Sequence, residues 1–309
     1  MKKDFTEEYV PINGIEQYFL HYPAEAEEVV LMLHGGPGFP NSYTAYYVHP
    51  FLDFCNVVYY DQRGAGKTQL KNRTNPDTLS YTILLEDLHR TVQYVKEKYK
   101  TERVLLAGHS CGSLLGTQYI LKYPNDVLAY IGYGQMVESK ALHRIWYMDL
   151  RKTIEKSKHK RDLKKMAAIS SEFPNVPMEQ FVAGVHILTD MHLKYSYGDK
   201  NYMSIFRRSP IMTFKDGMIM MRAGKNNEKL IEETYGFDIS DIALYQLPIF
   251  YVLGRYDALT SSELAAEYFE KISAPKKGLY WIENAGHMTD TDQPEAFGKA
   301  ILDIIEACN

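Results

Sequence analysis

Apolar residues fall along this chain in two rhythms. Short runs rich in β-branched and aromatic side chains, at residues 29–33, 57–60, 104–107 and 127–133, have the length and composition of strands buried on both faces. Between them the apolar positions spread to spacings of three and four. Leu84, Leu85, Leu88, Val92 and Val95 mark one face of a helix over residues 80–100, with Ser80 placed to cap it. Strand and helix in alternation predict a mostly parallel sheet with helices on both faces, an α/β fold. Upstream, residues 8–12 and 15–21 flank Asn13-Gly14, a dipeptide tolerant of positive φ, so the chain is expected to open with an antiparallel hairpin.

The alternation stops near residue 138. From there to residue 246 the chain is helix-rich and lysine-rich, and strand-like segments return at 248–253 and 278–282, each followed by a helix. Connections longer than about 15 residues rarely lack structure of their own. The expected organisation is therefore a core of residues 1–137 and 247–309 with a helical cap inserted at 138–246. The basic run from Arg151 to Lys165 is interrupted by Glu155 and Asp162 and reads as a solvated helix face.

Composition narrows the functional classes. A net charge of -4 gives no electrostatic footprint for nucleic acid or for an anionic membrane. No apolar run approaches the length of a membrane span, and no apolar stretch follows the basic start, so a cytoplasmic protein is expected. Cys55, Cys111 and Cys308 are an odd number without metal-binding spacing, which suggests reduced thiols. Twenty-five tyrosines are many for 309 residues and suit a pocket that is apolar in body and polar at its tips. No metal or organic cofactor is implied: His186 and His192 are six apart, not four as in helical zinc ligands.

The chemistry lies at strand ends. The apolar run that includes residues 104–107 leads into Gly108-His109-Ser110-Cys111-Gly112, where small residues on either side let a strand turn sharply into a helix with Ser110 at the apex. A serine hydroxyl needs a base, an acid to orient the base, and donors for the developing oxyanion. His287 follows the last strand and is the candidate base. Asp257 follows the strand before it and is the candidate acid, with Asp290 and Asp292 as weaker alternatives beside His287. Ser110, Asp257, His287 is the chain order used by α/β-hydrolases. His34-Gly35-Gly36-Pro37-Gly38 follows the strand at 29–33, and an oxyanion hole from the amides of Gly36 and Cys111 is expected. Those glycines lack the spacing of a phosphate-binding loop. Cys111 itself should point into the fold rather than act as nucleophile.

With Tyr60-Asp61-Gln62-Arg63-Gly64-Ala65-Gly66 added, these motifs resemble the proline iminopeptidase branch of capped α/β-hydrolases. The similarity runs over roughly residues 5–137 and 247–305 and is faint across the cap. The resemblance implies an α/β-hydrolase fold and release of an N-terminal residue, typically proline, from small peptides by way of an acyl-enzyme. Asp61-Gln62-Arg63-Gly64 is read as a brace beneath the oxyanion loop, with Arg63 in an ion pair. Two features depart from that branch: Cys111 stands where an aromatic residue is common, and the tryptophan-rich cap stretch that carries an amine-binding glutamate is missing. Glu138, Glu172 and Glu179 are the acidic residues in or near the cap available to bind a free amine, or else plain surface carboxylates. Hydrolysis of a small ester or amide is the alternative with the same apparatus, and a slow-turnover ligand sensor is an alternative of another class. A haloalkane dehalogenase or epoxide hydrolase would want Asp in place of Ser110.

Overall fold

The computed structural model describes residues 5–198 and 202–308. Eight strands, β1 (Thr6–Ile12), β2 (Ile15–Tyr22), β3 (Val29–Leu33), β4 (Asn56–Tyr60), β5 (Val104–His109), β6 (Val127–Tyr133), β7 (Ile249–Gly254) and β8 (Lys277–Ile282), form one sheet in the order β1-β2-β4-β3-β5-β6-β7-β8. The pairings β1–β2 and β2–β4 are antiparallel, and every later pairing is parallel. This is the α/β-hydrolase fold. Ile12 pairs with Ile15 across the Asn13-Gly14 turn, where both turn residues have positive φ.

The central strands are buried on both sides, and alternate residues enter different cores. Leu31 and Leu106 face one cluster, while Val30, Met32 and Leu105 face the other. The helix Tyr81–Tyr99 packs Leu84, Leu88, Val92 and Val95 against the first, and the Ser80 hydroxyl accepts the Ile83 N–H at its start. The helix Pro294–Cys308 covers the second. The tyrosines expected around a pocket are largely core residues. Nine of the twelve largest fully buried side chains among the described residues are tyrosines, and several use the hydroxyl inside, as Tyr130 does on the Ser113 carbonyl.

Residues between β6 and β7 form the helical insertion, with its own apolar cluster built around Trp146, Leu150, Phe173, Phe181 and Leu188. Its helices stop at Thr234, short of residue 246. Phe237, Ile239 and Tyr245 belong instead to the core against the sheet, because backbone bonds from Ser139 to Phe237 (2.9 Å) and from Ile239 to Val137 (3.0 Å) stitch this stretch to the end of the core.

Asp216, on the insertion helix Phe214–Met220, reaches across to the sheet side. It accepts hydrogen bonds from Tyr43 Oη (2.8 Å) and Thr213 N (2.7 Å), and pairs with Lys67 Nζ at 3.3 Å. Lys67 is itself mostly buried and lies 5.6 Å from the Tyr18 ring centre. Removing one member of a buried pair strands the other. Asp216→Ala is therefore expected to lower the unfolding free energy by about 3–5 kcal/mol in urea titrations. Arg151→Ala, which breaks an exposed pair with Glu155 one helical turn away, should change it by less than about 0.5 kcal/mol.

Candidate active site

Ser110 sits between the end of β5 and the helix Cys111–Lys122, with φ 52° and ψ -123°. A non-glycine residue in that region stores about 1–3 kcal/mol of strain and persists where its surroundings hold it. Here its N–H donates to the carbonyls of Tyr133 (3.2 Å) and Gly134 (3.1 Å), and its carbonyl accepts from Ser113 N (2.7 Å) and Ser113 Oγ (2.6 Å). The flanking glycines are steric requirements. A Cβ on Gly108 would lie 2.8 Å from Ser113 Cα, one on Gly112 would lie 2.4 Å from the Leu33 carbonyl oxygen, and one on Gly35 would lie 2.7 Å from Ser110 Cβ.

His287 and Asp257 come from the loops after β8 and β7, and the structure joins them: His287 Nδ1 lies 2.9 Å from Asp257 Oδ2. Burial alone would raise the Asp257 carboxyl. The His287 ring, the Thr260 hydroxyl (2.6 Å) and the Thr260 amide (3.1 Å) overcome this and hold it well below the usual carboxylate range. An ionised Asp257 keeps the proton on Nδ1 and leaves Nε2 as the basic nitrogen. Gly134 borders both the serine and the imidazole. Its carbonyl holds Ser110, and a Cβ on it would lie 3.0 Å from His287 Cε1. His109 supports the same loop, its Nε2 3.0 Å from the His287 carbonyl and its ring 4.7 Å from the imidazole.

Asp290 and Asp292 take other parts. Asp292 accepts the Gly286 N–H at 2.7 Å and shapes the loop that carries His287. Asp290 accepts the Thr291 N–H at 2.9 Å, and its carboxyl is pushed up to about 7 by burial, with Asp292 adding to the effect.

The glycine loop after β3 is pinned from behind. His34 donates from Nδ1 to the Gly35 carbonyl (2.9 Å) and accepts at Nε2 from Gln62 N (3.0 Å), while Gln62 Nε2 returns a bond to the His34 carbonyl (3.0 Å). Desolvation holds the His34 ring down at about 4, so it is neutral in this role. Arg63 Nε pairs with Asp87 at 2.7 Å, fastening the Gln62 loop to the helix Tyr81–Tyr99. Gly36 has a φ of 122°, and the Cys111 thiol lies 3.3 Å from its carbonyl. The two residues expected to form the oxyanion hole are thus neighbours, and Cys111 opens a helix whose first amides have no carbonyl partner within it. Burial pushes the Cys111 thiol up to about 11, so it stays protonated at neutral pH.

The insertion contributes residues that sequence reasoning missed. The His192 ring lies perpendicular to that of His287 with centres 6.0 Å apart, and its Nδ1 lies 3.3 Å from Trp146 Nε1 and 2.6 Å from Ser196 Oγ. Asn227 Nδ2 donates to the Gly64 carbonyl at 3.2 Å and lies where a Cβ on Gly38 would be. No local signal marks either residue, since both contacts span more than ninety positions of sequence. The three nominated carboxylates differ in burial. Glu172 and Glu179 are exposed, and Glu138 is half-buried at the root of the insertion, where its backbone bridges to Asp238. An exposed carboxylate is a weak anchor for an ammonium group because water screens the pair.

A family model described as "Serine aminopeptidase, S33" matches residues 24–294. The probable aminopeptidase YbaC of Bacillus subtilis is 22% identical over 96% of this chain and 92% of its own length. A proline iminopeptidase of Saccharolobus solfataricus is 26% identical over 97% and 92%. Among solved structures, the proline iminopeptidase-related protein of Thermus thermophilus superposes with a TM-score of 0.68, at 21% identity over 98% of both chains.

Two measurements check this geometry. Gly112→Ala is expected to destabilise the protein by about 1–3 kcal/mol in chemical denaturation, since strand β3 would have to give way. Asp290 binds its proton more tightly folded than unfolded, so it contributes stability that is present in acid and lost as pH rises through about 7. Asp290→Asn removes that loss, and its stability relative to wild type should grow by roughly 1.4 kcal/mol per pH unit between about pH 4 and 7.

Proposed function

The chain belongs to the serine aminopeptidase family of α/β-hydrolases, and from that premise we propose that it is a serine hydrolase that releases N-terminal proline or another small residue from short peptides. Ser110 attacks the carbonyl carbon, and His287 accepts the hydroxyl proton at Nε2 and returns it to the leaving amine. Asp257 orients the imidazole and stabilises its charged form. The amides of Gly36 and Cys111 receive the oxyanion, a contribution of about a hundred- to a thousandfold in rate per donor. Water then enters, activated by the same histidine, and cleaves the acyl-enzyme. The observation that carries this reading is the serine strained on its elbow, with Gly134 bordering both it and an imidazole that a buried, ionised aspartate orients. The helical insertion serves as the cap over this site, and the protein works in the cytoplasm on small substrates.

The exposure of Glu172 and Glu179 favours a second reading, in which no cap carboxylate selects a free amine and the substrate is a small ester or amide. One comparison separates the two. Rates are measured on a fluorogenic prolyl amide, its N-blocked analogue and a short-chain nitrophenyl ester, with Ser110→Ala and Asp257→Asn alongside wild type. Aminopeptidase action predicts preference for the free-amine prolyl substrate, and turnover of the ester alone would assign the second reading. Ser110→Ala should abolish activity in either case, and Asp257→Asn should lower kcat by about ten-thousandfold by leaving the imidazole in the wrong tautomer. Activity that survives Ser110→Ala would overturn the mechanism.

A further inference from the structure

The insertion also presents an exposed apolar surface. The helix Phe214–Met220 is held inward by Asp216 and by Met220, which packs against the core around Tyr43 and Phe206. Its opposite side carries Phe214, 84% exposed, Met218, 44% exposed, and, just past its end, Met221, 83% exposed. Spacings of four and three place these side chains on one stripe. Large apolar side chains left this open along a fixed stripe mark an interaction surface rather than scattered surface hydrophobics.

The charge of the segment that carries the stripe is mostly of one sign. Arg207, Arg208, Lys215, Arg222 and Lys225 are all exposed, and the single acid between residues 207 and 227 is Asp216, which is buried and committed to Tyr43, Thr213 and Lys67. The chain as a whole carries -4, so this cationic segment is a local segregation that net charge averages away. An apolar stripe bordered by Lys and Arg is the pattern of a helix that lies in a membrane interface.

We propose that this face docks the protein reversibly on an anionic lipid surface. Phe214, Met218 and Met221 enter the boundary between headgroups and acyl chains, and the five cations meet the lipid phosphates and carboxylates. A second copy of the chain fits the face less well, because two-fold pairing would set these cations against their own counterparts.

The test is co-sedimentation with vesicles of phosphatidylcholine containing about 30 mol % phosphatidylserine, and with phosphatidylcholine alone. Wild type and Phe214→Ser/Met221→Ser are compared, with matched melting temperatures as the control for folding. Wild type is expected to bind the anionic vesicles, to bind them about tenfold more weakly in 0.5 M salt, and to bind pure phosphatidylcholine poorly. The double variant should bind at least about tenfold more weakly. The proposal is overturned if wild type stays in solution with anionic vesicles, or if the variant binds as well as wild type. A concentration-dependent dimer that the variant abolishes, without vesicle binding, would assign the face to a second copy instead.

Discussion

Much of the structure near the site answers to one strained residue. Ser110 is held in a backbone conformation that side chains avoid, and it stays there because its N–H and carbonyl are each engaged twice, by Tyr133 and Gly134 on one side and by Ser113 on the other. Those bonds exist only if β5 lies next to β6 and the following helix presses onto the end of β3. That close approach is what excludes a Cβ at Gly108 and Gly112. The parallel pairing of β3, β5, β6, β7 and β8 then delivers the Gly36 loop, Ser110, Gly134, Asp257 and His287 to one edge of the sheet.

Burial at that edge is used in opposite ways. Asp257 and Asp290 are both carboxyls out of water, but Asp257 has four favourable contacts, with His287, the Thr260 hydroxyl and amide, and the Leu259 amide, and is held ionised. Asp290 has the Thr291 amide, its own amide and a weaker pull from His287, set against the nearby Asp292 carboxylate, and burial prevails. The number and sign of partners decide the outcome, not depth alone. The same logic keeps His34 neutral. A neutral ring can donate from one nitrogen and accept at the other, which is what fixing the glycine loop to Gln62 requires.

The insertion is joined to the core by polar groups as well as by packing. It has an apolar cluster of its own, yet Asp216 binds Tyr43 and Lys67, and Asn227 binds the Gly64 carbonyl. Directional bonds of this kind fix the register of one layer on another in a way that apolar contact does not. Through them the insertion reaches the brace behind the glycine loop, and through His192 it reaches the His287 ring.

The sequence by itself determined the sheet. Strands such as Val29–Leu33 and Val127–Tyr133 fall where the apolar runs place them, because buried parallel strands need continuous apolar residues, and the helix Tyr81–Tyr99 follows its 3.6-residue spacing behind Ser80. It also marked Ser110, Asp257, His287 and the Gly36 loop, since strand-end residues between small neighbours leave a local signature. What it left undetermined are contacts without local cause. Phe237 and Tyr245 joined the main core instead of the insertion, and His192 and Asn227 reached the site from helices whose own periodicity says nothing of it. The exposure of Glu172 and Glu179 and the outward stripe of Phe214, Met218 and Met221 belong to the same class. Periodicity states which face of a helix is apolar, but tertiary packing alone decides which neighbour covers that face, or whether any does.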